Sequence, residues 1–179
     1  VTAKGTFYAQ TEVEGNITIG RNLTVQNSLS MKTEKGDISI GNTITANDGT
    51  VSMTTGEGDI FVGKDVTAKQ GSIAMQTGTG DITVGAAVTA VKKDVTMTVG
   101  DGDILVGEDV TAGGNVQMDV TKTGSVTVGD DDKTGKVTAG KDVTITTQNG
   151  GTAVRTSITS TGGSVSVLAE HGDITVGEF

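Results

Sequence analysis

The sequence predicts an all-β fold, a right-handed parallel β-solenoid with three sides and about eight coils of about 22 residues. Three observations carry that expectation. A Gly-Asp-Ile-x-Val-Gly motif recurs every 22 residues through the middle of the chain. The composition combines 28 Gly with abundant Val, Ile and Thr and has no Pro. Between the motifs, short stretches alternate apolar and polar residues, the signature of half-buried strands.

The motif stands as Gly36-Asp37-Ile38-Ser39-Ile40-Gly41 and then as Gly58-Asp59-Ile60-Phe61-Val62-Gly63. Further copies begin at Gly80, Gly102, Gly124 and Gly172. Gly15-Asn16-Ile17-Thr18-Ile19-Gly20 is an earlier copy, and a degenerate one begins at Gly150. Each repeat then continues with a Val-Thr-Ala segment such as Val66-Thr67-Ala68, and with an apolar-x-Met segment such as Ile73-Ala74-Met75. β-Branched residues favour a pleated backbone, and glycine supplies the turns between segments. Three strands this short enclose nothing alone, but they make one turn of a three-sided coil.

The alternation assigns six inward columns. Ile60, Ile82 and Ile104 typify the first, and Val62, Val84 and Val106 the second. Val66, Val88 and Val110 begin the Val-Thr-Ala segment, and Ala68, Ala90 and Ala112 end it as a small column at a tight corner. Ile73, Val95 and Val116 open the last segment, and all five Met residues occupy the column beside them. Six apolar side chains do not offset the entropy of ordering 22 residues, so a lone coil is unstable and stacking is obligatory. Eight coils at about 4.8 Å each make a rod of roughly 40 Å. The handedness of parallel crossovers predicts right-handed winding.

Residues 1–179 read as one solenoid segment with no polar cap at either end. Joining the end to the beginning aligns Gly177-Glu178-Phe179-Val1-Thr2-Ala3 with Gly63-Lys64-Asp65-Val66-Thr67-Ala68 without a gap. Val1, Thr2, Ala3, Gly177, Glu178 and Phe179 are therefore the candidate residues of an end-to-end junction. The expectation is one unit of a tandem array, or separate copies stacking head to tail into a fibre. The partner is then the protein itself.

Composition excludes several functions. A net charge of −9 opposes nucleic acid and anionic membranes as partners. No apolar run reaches the length of a membrane-spanning helix. Without Cys there is neither a disulfide framework nor a thiolate metal site. The Asp column (Asp37, Asp59, Asp81, Asp103, Asp173) also holds Asn16, Ser125 and Gly151, which suits turn capping by local backbone bonds rather than a cation site. The unbroken column from Thr2 to Thr159 suits cross-strand stabilisation better than ordering of ice-like water. His171, the one His, sits before Gly172 at an expected corner. No catalytic, cofactor or metal constellation stands out from the repeat, and no enzyme is expected. Phe61 and Leu105 interrupt an outward column of Ser and Thr and are candidates for lateral contact. Asp130-Asp131-Asp132-Lys133-Thr134-Gly135, where the period lengthens to 26, reads as a loop bulging from the rod.

The segments Gly80 to Gly85, Asp109 to Ala112 and Gly113 to Val116 resemble the repeats of filamentous haemagglutinin-type exoproteins. The resemblance covers nearly the whole chain. It implies a β-helical shaft on a bacterial surface, secreted unfolded and concerned with adhesion. The functional expectation is an extracellular, fibre-forming shaft. The alternative is an adhesin segment that binds a host glycan or protein through one face.

Overall fold

The structure is a computed structural model that describes residues 1–130 and 135–177. It contains three parallel eight-stranded sheets wound as stacked coils. The first coil is β1 (Thr2–Ala3), β2 (Phe7–Gln10) and β3 (Ile17–Ile19); the second is β4 (Leu23–Val25), β5 (Leu29–Lys35) and β6 (Ile38–Ile40). The third is β7 (Ile44–Ala46), β8 (Val51–Glu57) and β9 (Ile60–Val62); the fourth is β10 (Val66–Ala68), β11 (Ile73–Thr79) and β12 (Ile82–Val84). The fifth is β13 (Val88–Ala90), β14 (Val95–Asp101) and β15 (Ile104–Val106); the sixth is β16 (Val110–Ala112), β17 (Val116–Thr123) and β18 (Val126–Val128). The seventh is β19 (Lys136–Ala139), β20 (Val143–Asn149) and β21 (Thr152–Val154); the eighth is β22 (Ser157–Ser160), β23 (Val165–His171) and β24 (Ile174–Val176). The sheets are named here for their columns: the Thr sheet (β1 to β22), the Met sheet (β2 to β23) and the Asp sheet (β3 to β24).

Register follows the repeat. Val66 pairs with Ile44 and Val88, Met75 with Met53 and Met97, and Ile82 with Ile60 and Ile104. The six expected columns are buried through the inner coils, including Met31, Met53, Met75, Met97 and Met118. They open at the two outer coils, where Val1, Val165, Ile174 and Val176 are exposed.

The Met sheet corrects one expectation. Its strands run seven residues rather than three, and they add a seventh inward column. That column is Thr33, Thr55, Thr77, Val99, Val120 and Thr147, all buried. A buried hydroxyl needs a partner, and the next corner supplies one. Thr33 donates to the Gly36 carbonyl at 2.7 Å, Thr55 to Gly58 at 2.7 Å and Thr147 to Gly150 at 2.8 Å. Thr77 lies 2.9 Å from the Gly58 carbonyl and 3.0 Å from the Thr55 hydroxyl.

The period survives small irregularities because they compensate. Between β16 and β17 the corner is one residue shorter than the corner before it. Strand β17 restores the count with a bulge, pairing Val99 with Val120 but Asp101 with Thr123. The longer step to β19 adds residues beyond Gly129, at the corner leading into the Thr sheet. Of the expected loop there, Asp130 and Gly135 are described, and residues 131–134 lie outside the described residues.

Glycine is required where the Met sheet turns into the Asp sheet. Gly36, Gly58, Gly80, Gly102 and Gly124 have φ between +125° and +139°. A Cβ on Gly80 would stand 2.4 Å from the Gly58 carbonyl oxygen of the coil before. Two constraints therefore coincide, a left-handed backbone and direct backbone-on-backbone stacking. Gly80→Ala is expected to lower stability by about 2 kcal/mol or more. Gly20→Ala, at a position with ordinary φ and no atom within 4 Å of the added carbon, is expected to stay within about 0.5 kcal/mol of the parent. Denaturant unfolding of the two variants side by side checks this.

Candidate functional site

Every corner carries a ladder of side-chain acceptors, and its direction differs from expectation. The Asp column does not cap its own turn. Asp37, Asp59, Asp81 and Asp103 each reach along the rod and accept the backbone N–H of the equivalent residue one coil later. Asp59 N–H donates to Asp37 Oδ1 at 2.9 Å, Asp81 to Asp59 at 2.8 Å, Asp103 to Asp81 at 2.8 Å and Ser125 to Asp103 at 2.7 Å. Asn16 does the same for Asp37 at 2.8 Å. The reason is geometric. The N–H groups at the corners point along the stack, where no strand carbonyl is in register, and a short side chain one coil away fills the gap.

The other two corners repeat the device. Where the Asp sheet turns into the Thr sheet, Lys136 N–H donates to Asp109 Oδ1 at 2.9 Å. Where the Thr sheet turns into the Met sheet, Asn115 donates to Asp94 at 2.7 Å, Asp142 to Asn115 at 3.1 Å and Ser164 to Asp142 at 2.7 Å. These residues are therefore parts of the scaffold.

The junction candidates lie at opposite ends of the rod. Thr2 and Ala3 pair with Thr24 and Val25 on one side only. Val1 donates its terminal ammonium to the Asn22 carbonyl at 2.6 Å. At the far end, Gly177 N–H bonds the Val154 carbonyl at 3.1 Å. Glu178 and Phe179 lie outside the described residues. Strands β22, β23 and β24 each pair with one neighbour and leave the other edge open.

Phe61 and Leu105 share the outer face of the Asp sheet, on β9 and β15 with Thr83 of β12 between them. They are 43% and 38% exposed. His171 is exposed at the end of β23, in register with Asn149. The surface depressions are shallow. One of about 490 Å³ lies beside Val1, Thr2, Arg21 and Asn22, and another of about 220 Å³ beside Thr127, Ala153 and Thr175.

A feature that the sequence did not announce is the distribution of charge. The corner between the Met and Asp sheets carries eleven carboxylates and two lysines, a net −9 that equals the formal charge of the whole chain. The corner between the Thr and Met sheets carries five lysines and three Asp, a net +2. The rod thus has one acidic and one mildly basic long edge, with the Met sheet between them. Lys32 on that sheet is held 2.7 Å from Glu34, and its ammonium titrates above the ordinary 10.5 because Glu34 accepts its hydrogen bond.

Comparison with family models, with curated proteins and with solved structures finds no match to this chain. The fold supports the coarser part of the motif resemblance: this is a β-helical repeat chain of stacked parallel coils.

The ladder makes a graded prediction. Asp81→Ala strands the Asp103 N–H and is expected to cost about 1 kcal/mol. Asp81→Asn keeps the acceptor, as Asn16 does natively, and is expected to be close to neutral. Hydrogen exchange at the Asp103 amide should accelerate in the first variant and not in the second.

Proposed function

We propose that this chain is a structural shaft, a stiff length of β-solenoid whose ends accept further coils, from the same chain or from another copy. The observation that supports this most directly is the continuity of the inward columns up to both outer coils. Ile174 and Val176 continue buried columns yet stand 47% and 46% exposed, beside strands whose outer backbone edge is unpaired. An additional coil would cover both the apolar side chains and the edge. The work of such a shaft is spacing and stiffness, with no turnover. The motif resemblance to filamentous haemagglutinin-type exoproteins supports an extracellular place on a bacterial surface.

A second role has one observation in its favour. Phe61 and Leu105 are exposed large apolar residues on a face whose other outward residues are Ser, Thr and Ala153, which suits an adhesin segment gripping a host protein or glycan from the side.

Two measurements separate these. In negative-stain electron microscopy the shaft predicts rods that lengthen with protein concentration in steps of about 40 Å. Ile174→Lys with Val176→Lys should stop that growth while the strand spectrum persists; growth unchanged by the two lysines would contradict stacking. Phe61→Ser with Leu105→Ser should leave rod length alone and, for the adhesin role, lower host-cell binding at least tenfold.

A further inference from the structure

The three sides of the rod are not equivalent. Strands of the Thr and Asp sheets are mostly three residues long and present a single outward rank each. The Met sheet has seven strands of seven or eight residues, so it alone forms a broad face. Seven strands at about 4.8 Å and seven residues at about 3.3 Å give a face of roughly 800 Å², the area each partner buries in a stable protein interface.

The centre of that face is flat and uncharged. On β8, β11 and β14 the outward ranks are Ser52, Ala74 and Thr96, then Thr54, Gln76 and Thr98, then Gly56, Gly78 and Gly100. The glycines have a backbone reason, since a Cβ on Gly78 would lie 2.5 Å from the Gly56 carbonyl oxygen. A surface without protrusions is the consequence.

The borders carry the information about the partner. One long side is the mildly basic edge, with Lys69, Lys92 and Lys93 at its centre; none of the three is in an ion pair among the described residues. The other is the acidic edge, with Glu57, Asp81 and Asp101. At the fourth and fifth coils the two edges complement each other in only one orientation, while the middle rank then sets Lys32 on Lys32 and Asp119 on Asp119. A two-fold axis running along the rod keeps coil levels in step and exchanges left for right. It lays each copy's basic edge along the other's acidic edge. Lys69 then stands level with Asp81 of the fourth coil, and Lys92 and Lys93 level with Asp101 of the fifth. A two-fold axis across the rod, which makes the copies antiparallel, sets like edges together.

We infer that two copies of this chain pair side by side and parallel through their Met sheets, with the Lys69–Lys93 edge of each against the Asp81–Asp101 edge of the other. The general repulsion between two chains of −9 acts over distance and is screened beyond about 8 Å at physiological ionic strength. The edge contacts lie inside that range. Lateral pairing does not depend on end-to-end growth, and it gives a shaft two rods thick.

The test is a charge exchange, carried out on the full chain with Ile174→Lys and Val176→Lys present so that end stacking cannot double the mass. One variant reverses the basic edge with Lys69→Glu, Lys92→Glu and Lys93→Glu. The other reverses the acidic edge with Thr79→Lys and Asp101→Lys, positions whose side chains take no part in the corner ladders. Sedimentation at 0.15 M ionic strength should show the parent as dimer and each variant alone as monomer. An equimolar mixture of the variants, in which both edge contacts are again attractive, should recover the dimer. With strand spectra unchanged, a monomeric parent, a dimeric single variant or a monomeric mixture overturns the inference. Orientation has its own readout, because the chain lacks Cys. Thr54→Cys should give disulfide-linked dimers in the parallel pair. Cross-linking only between Thr54→Cys and Thr98→Cys copies would show the antiparallel one and refute it.

Discussion

No coil of this chain can bury its own interior; each is half of two interfaces. The contacts that hold Val66 are with Ile44 one coil before and Val88 one coil after, and the same holds for every inward column. Stability is therefore a nearest-neighbour sum, and each feature of the structure serves the stacking distance. β-Branched residues fill the columns. Positive-φ glycines at one corner let backbone lie on backbone. Short polar side chains at all three corners accept the N–H groups that the sheet ladders miss.

Much of this was legible in the residues, and the reason is the constancy of the period. A 22-residue step places chemically alike residues at alike positions, so the columns ending in Val62, Ala68 and Met75 could be written down without coordinates. The seventh column was hidden because Thr33, Thr55 and Thr77 are polar and look outward-facing until their hydroxyls are seen to bond the carbonyls of corner glycines, Gly36 for Thr33 and Gly58 for the other two. The pattern held a clue: Val99 and Val120 occupy the same column, and inward alternation through Val95-x-Met97-x-Val99 already required it. The Asp ladder was mistaken for a local turn because a turn residue and an inter-coil acceptor have the same composition. Only the stack shows that Asp59 serves Asp81 rather than itself. The acidic edge was invisible for a further reason. Its carboxylates come from six separate corners of the chain and meet only when the corners are aligned.

The consequences for function follow from shape. Most of the core is shared between coils, the depressions are open and shallow, and the Asp residues that might have suggested chemistry are spent on backbone N–H groups. The exposed features are the outer coils, where the inward columns open, a narrow face bearing Phe61 and Leu105, and a broad face bordered by opposite charges.

The central claim is that the coil of 22 residues is the unit of structure, each copy exchangeable for the next. Deletion tests it most directly. Removing residues 81–102 joins Gly80 to Asp103 and excises one whole coil in phase. Removing residues 81–91 excises half a coil and misaligns every column beyond. The whole-coil deletion should keep the strand spectrum and a sharp unfolding transition, in a rod shortened by about 4.8 Å, whereas the half-coil deletion should lose both. If the two deletions proved equally harmful, or equally harmless, the stacked-coil account would be contradicted.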